Sequence, residues 1–119
     1  MATAVTIANL DGPVVCESCV LADSPLRRMR GLLGRKTLDA GHGILLSPAP
    51  AIHTFFMRFA IDAVFLDRDY SVLSVRRELR PWRMASQRGA RAVLELAAGE
   101  AERRGIGPGD RLEVSVGRI

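Results

Sequence analysis

The chain has 119 residues, a net charge of +4, and 48% apolar against 25% charged side chains. That length suits one domain spanning 1–119, and the apolar-to-charged balance is that of a globular protein, which excludes a disordered or collagen-like chain. No run approaches the ~18 apolar residues of a membrane span, and MATAVTIANLDGP lacks both the basic flank and the apolar core of a secretory leader, so the cytoplasm is the expected location.

In chain order, PVVCESCVLA (13–22) reads as a first strand, extended and apolar. Asp23 or Ser24 suits a helix N-cap, and Pro25 suits a first helical turn. SPLRRMRGLLGR then sets Leu26, Met29, Leu32 and Leu33 at helical spacing, which predicts a short amphipathic helix over 25–34 with arginines outward. KTLDAGHG is turn-like, and GILLSP is a short strand ended by Pro48. IHTFFMRFAIDAVFLD (52–67) is apolar and β-prone, a polar turn succeeds it at 67–70, and SVLSVRREL resumes as a strand, so 60–79 reads as a hairpin. RPWRMASQRG is a basic irregular loop, ARAVLEL a strand, AAGEAERRG one or two helical turns, IGPGD a tight turn and RLEVSVG the last strand. The expected fold is mainly β: an antiparallel sandwich or partly closed barrel with one or two short helices. Parallel pairing needs a crossover of about a dozen residues, and only 24–42 offers that room.

Taken together, RRMRGLLGRKTL, GHGILLSP, HTFFMRFAIDAVFLDRDYSVLSV and ARAVLELAAGEAERRGIGPGDRLEV resemble the domain of unknown function 192 family of small bacterial and archaeal proteins. The likeness runs from residue 25 to about 116. It implies a mainly β sandwich or barrel and carries no established activity. The family places an arginine where Arg35 stands, and many relatives look exported. Leu33 and Ile44 replace frequent methionines, Phe56 a frequent tryptophan, and Phe59-Ala60 a common polar pair.

Within the 52–67 stretch, His53, Thr54, Arg58 and Asp62 do not share one alternating face. A carboxylate embedded among apolar neighbours, as Asp62 is, needs hydrogen bonds or a cation. Three readings stay open: an Asp62 contact with Arg58 or backbone that pins the sheet, a small anionic or polar ligand held by Arg58 near Asp62, and catalysis by His53 with Asp62 orienting it.

Cys16 and Cys19 form a Cys-x-x-Cys on a strand. There their Cα atoms stand roughly 10 Å apart, too far for a disulfide. A site with His42 and His53 matches no common zinc spacing, so structural thiols are expected, with no metal and no cofactor. The segment 68–91 holds seven arginines around Trp82, the sole tryptophan. A basic loop with one aromatic suits single-stranded nucleic acid, but one ring is thin for stacking and the overall charge is mild, which argues against that partner.

The resulting reading is a non-catalytic β-domain that binds a small molecule or a protein. Its site lies near HTFFMR and comprises Arg35, His53, Phe56, Met57, Arg58, Asp62 and Trp82. The rivals are a small hydrolase or isomerase using His53 and Asp62, and single-stranded nucleic-acid binding by 68–91.

Overall fold

A computed structural model describes residues 3–10, 12–22, 24 and 35–116; the helix expected over 25–34 lies outside them. The described elements are β1 (Thr3–Asn9), β2 (Val14–Ala22), β3 (His42–Leu46), β4 (Ala51–His53), β5 (Ile61–Leu66), β6 (Val72–Leu79), β7 (Met84–Ser86), β8 (Ala92–Ala97), α1 (Glu100–Arg103) and β9 (Leu112–Val116). Seven strands form one sheet in the order β6-β5-β8-β3-β2-β1-β9, and β4 pairs with β7 apart from it. The start of β6 returns to the start of β9: Ser71 bridges Arg111, Val72 N donates to Asp110 O at 2.7 Å, and Leu112 N donates to Tyr70 O at 2.9 Å. The sheet thus curls into a partly closed half-barrel, mainly β as expected, with one short helix among the described residues.

Three strands were not expected. β1 lies in TAVTIAN, whose small residues hide its alternation, although Val5 and Ile7 are both buried. β4 and β7 are three-residue strands inside what reads as continuous strand and loop. Among the described residues one pair is parallel, β2 with β3, and its crossover uses the single stretch long enough to supply one.

Apolar residues fill both faces of the sheet. Val64, Leu66, Leu94 and Leu96 join residues of β1, β2 and β9 and Ala101 of α1 in a cluster inside the curl. Ile61, Ala63, Phe65 and Val93 join Ile52, Met57 and Ala85 in a second cluster, on which the β4–β7 pair packs. Burial on both faces explains why β5 is an unbroken apolar run apart from Asp62.

The β1–β2 and β5–β6 ladders each shift register at two points, and one bulge in each places buried groups. Val5 pairs with Cys19 and Ile7 with Cys16, so β2 carries one extra residue and both thiols enter the same core cluster. The thiols interact: contact with Cys19 lowers the Cys16 pKa, while the same contact, then burial, raises that of Cys19.

In the second bulge, Ile61 pairs with Leu79 and Ala63 with Arg76, leaving Arg77 and Glu78 opposite Asp62. Glu78 takes a left-handed backbone, φ 51°. Asp62 is fully buried. Its Oδ1 accepts from Glu78 N at 2.8 Å, and its Oδ2 accepts from Gly99 N at 3.0 Å and Ala101 N at 2.9 Å. One carboxylate therefore joins β5, the β6 bulge and the entry to α1. At the other end of α1, Arg104 grips Glu17 of β2 through two contacts of 2.9 Å and Glu100 at 3.2 Å. Among the described residues, no helix is long and apolar enough to cross a membrane.

Replacing Asp62 leaves three backbone N–H groups without their acceptor. Asp62→Ala is expected to lower unfolding free energy by about 3–5 kcal/mol, since each stranded buried donor costs about 1–3 kcal/mol. Asp62→Asn, which keeps one acceptor oxygen, is expected to fall between wild type and Asp62→Ala. Denaturant midpoints of the three proteins check this order, and an unchanged Asp62→Ala midpoint would refute the role.

Candidate functional site

The site is built around Thr54, a fully buried polar residue just after β4. Its hydroxyl donates to Arg80 O at 2.6 Å and accepts from Arg83 N at 2.9 Å. Its backbone N donates to Arg83 O at 2.8 Å, and its backbone O accepts from Trp82 N at 2.9 Å and Met57 N at 3.2 Å. One threonine thus stitches the 54–57 turn to the 80–83 loop.

Each of these segments carries one bulky aromatic in the left-handed backbone region: Phe56 at φ 65° and Trp82 at φ 66°. Side chains with a Cβ are disfavoured there, at roughly 1–3 kcal/mol each, and such strain persists only where surrounding contacts enforce it. Here the Thr54 bonds enforce it, and the rings point to solvent: Phe56 is 69% exposed and Trp82 55%. Phe56 and Trp82 have ring centroids 4.6 Å apart, Phe55 stacks on Trp82 at 5.8 Å, and His53 lies 4.9 Å from Phe55. The four rings form a continuous aromatic rim.

A groove of about 430 Å³ runs along β6 and the loop after it, lined by Arg76, Arg77, Arg80, Arg83, Glu78 and two aliphatic residues, and two of its arginines, Arg80 and Arg83, flank Trp82 in the chain. Arg76, Arg77, Glu78, Arg80 and Arg83 are all exposed. Three of the arginines are steadied by carbonyls: Arg76 Nη2 donates to Ser86 O at 3.3 Å, Arg77 Nη2 to Ile106 O at 3.4 Å, and Arg83 Nη1 to Trp82 O at 3.4 Å. The bulge held by Asp62 lies within this lining.

The residues expected from sequence divide three ways. His53, Phe56 and Trp82 come together in the rim. Met57 is buried in the second core cluster, and Asp62 is occupied by backbone N–H groups rather than by Arg58, which is exposed beside the rim. Arg35 is exposed, and among the described residues no contact ties it to the rim. The structure does not bring His53 and Asp62 together: His53 Nδ1 accepts from Phe55 N at 3.2 Å. No group of three or more metal-ligating side chains exists among the described residues.

Sequence reasoning missed Thr54 as the hub and Phe55 as the middle ring. It also missed Glu95. This carboxyl is 3% exposed and sits in the middle of β8, with Ile44 and Ala63 as its strand neighbours. Among the described residues it has no hydrogen-bond or ion-pair partner. Burial pushes its pKa up to about 8. The available signal was a charge inside the apolar run AVLEL.

The DUF192 family profile, described as "Uncharacterized ACR", matches residues 6–114. The UPF0127 protein of Pyrococcus furiosus is 33% identical over 100 residues, covering 77% of this chain and 82% of its own. Two crystal structures share the fold. One, from Sinorhizobium meliloti and described as a candidate transcription regulator, has TM-score 0.82 at 26% identity and covers 96% of this chain and 94% of its own. The other, a protein of unknown function from Novosphingobium aromaticivorans, has TM-score 0.81 at 26% identity and covers 94% of this chain and 84% of its own.

Two outcomes are expected. Thr54→Val keeps the shape but removes the hydroxyl, so it should cost about 2 kcal/mol in unfolding free energy and shift the Trp82 emission as the loop relaxes; an unmoved emission would refute the hub. Glu95 stays protonated in the fold at pH values where the unfolded chain has already ionised. Its contribution is therefore fully present at low pH and is lost as pH rises from about 4.5 through about 8, on the order of 4 kcal/mol in all. Glu95→Gln should flatten that decline in unfolding free energy measured from pH 5 to pH 9, and parallel curves for the two proteins would show that burial does not hold Glu95 neutral.

Proposed function

The chain belongs to the DUF192 family, and we propose that this member is a non-catalytic binding domain that takes an anionic ligand at the aromatic rim and the arginine groove beside it. One observation carries this reading: two bulky aromatics are held out to solvent in strained backbone geometry next to four arginines. Packing does not account for the exposure, because Phe56 and Trp82 would gain by turning inward. A stability role does not account for the strain, which tends to concentrate at ligand clamps and functional turns. Arginine adds the matching chemistry, since its planar fork meets phosphates and carboxylates through paired hydrogen bonds.

His53 and Arg58 extend the same surface. Met57 and Asp62 support it from beneath, Met57 by packing and Asp62 by fixing the bulge. The reading needs no reacting group, cofactor or metal.

Trp82 is the only tryptophan, so its fluorescence reports on the site directly. Titration with heparin and with inorganic tripolyphosphate is expected to give a saturable change with at least one of them. Arg80→Gln/Arg83→Gln should weaken it about tenfold or more, as expected for loss of two charge-assisted contacts. No response to either anion at millimolar concentration would overturn the reading.

A further inference from the structure

Resting on that reading, we infer that the ligand is single-stranded nucleic acid, its phosphates held along Arg76, Arg77, Arg80 and Arg83 and its bases stacked on Trp82 and Phe56. The inference comes from how the two surfaces join. The groove contains four guanidinium groups and one carboxylate, Glu78, so its charge is strongly positive. Two of the four, Arg80 and Arg83, flank Trp82 in the chain. An extended polyanion tracking the groove is therefore led onto the rings.

Those rings suit bases. Phe56 and Trp82 are more than half exposed, with ring centroids 4.6 Å apart and planes inclined by 60°, so both leave ring surface open to solvent beside the Phe55 that stacks on Trp82. An aromatic face accepts any base. Phe55 and the Thr54 hydrogen bonds fix the rings in place, which lowers the ordering cost on binding. A phosphate or carboxylate ligand without bases would use the arginines and leave the rings idle. A duplex would present phosphates but keep its base faces internal, again leaving the rings unused. A single strand uses both halves of the surface, and along its whole length.

The arrangement differs from the basic loop with one aromatic that the sequence suggests. Folding adds Phe56 to Trp82, supplying the second ring that the linear segment lacks. It also gathers arginines of β6 and of the loop into one groove.

The test is fluorescence anisotropy of a fluorescein-labelled 20-nucleotide single strand of mixed sequence, as DNA and as RNA, with the full chain. Binding is expected, with a slope of log affinity against log salt of about −3, from roughly 0.7 per contacted phosphate over four arginines. Phe56→Ala and Trp82→Ala are each expected to weaken binding about tenfold, the scale of one lost base stack. Both positions are exposed, and circular dichroism and the thermal midpoint identify any variant that fails to fold. Arg77→Gln/Arg80→Gln is expected to flatten the salt slope by about 1 to 1.5, which reads the charge contribution independently of the rings. Competition with the matching duplex, with heparin and with a mononucleotide identifies the ligand class.

Five results would overturn the inference. A duplex that competes as well as the strand would show that only phosphates are read. A mononucleotide that competes equally would reduce the ligand to a free nucleotide. Ring variants that bind at wild-type strength would remove stacking. Heparin bound while the strand is not would reject nucleic acid and leave the anionic site standing, whereas failure of both heparin and the strand, with no tripolyphosphate response, removes the anionic site as well.

Discussion

A single buried carboxylate fixes the geometry on which the rest of this protein depends. Among the described residues no cation pairs with Asp62; it is held by three backbone N–H groups drawn from β6 and from the turn into α1. A carboxylate so surrounded can accept from several donors at once, something no neutral side chain of its size achieves. The bulge at Arg77 and Glu78 is stable because the Glu78 N–H, which lost its ladder partner, finds Asp62 instead. Where the bulge lies determines which β6 residues line the groove, so a core residue shapes a surface feature from beneath.

Thr54 plays the corresponding part at the other end of the groove. It binds the 80–83 loop by both hydroxyl and backbone, and that loop carries Trp82 in a conformation that an isolated peptide would avoid. Strain at Phe56 and Trp82 is local, and the bonds that hold it lie on one neighbouring residue. Two polar residues buried within apolar sequence, Thr54 and Asp62, thus set the two limits of the surface. Of the polar residues beside them, His53 joins the aromatic rim and Arg58 is exposed.

Much of the fold was legible. The strands at 43–48, 60–66, 71–79, 90–96 and 111–117 announce themselves through β-branched runs bounded by turn residues, and the only crossover long enough for parallel pairing was used for it. β1 was missed because alanine and threonine dilute its pattern, and β4 and β7 because three residues carry no period. For the candidate site, the sequence pointed to His53, Phe56, Arg58 and Trp82, yet it could not show that a loop some thirty residues away meets them. That meeting depends on a hydroxyl hydrogen bond, which leaves no trace in hydropathy. Glu95 shows the same limit: its burial arises from the position of β8 between β3 and β5, which is a property of topology.

The free side of β6 bears on a different matter, how this protein avoids itself. β6 ends the seven-stranded order, and past its junction with β9 its outer backbone groups lack a neighbouring strand among the described residues. An unprotected edge of this kind invites a second copy to add its own edge, the usual start of aggregation. Arg76 and Arg77 on it, with Arg80 and Arg83 just past its end, make such an approach repulsive. The edge is therefore guarded by its own charge.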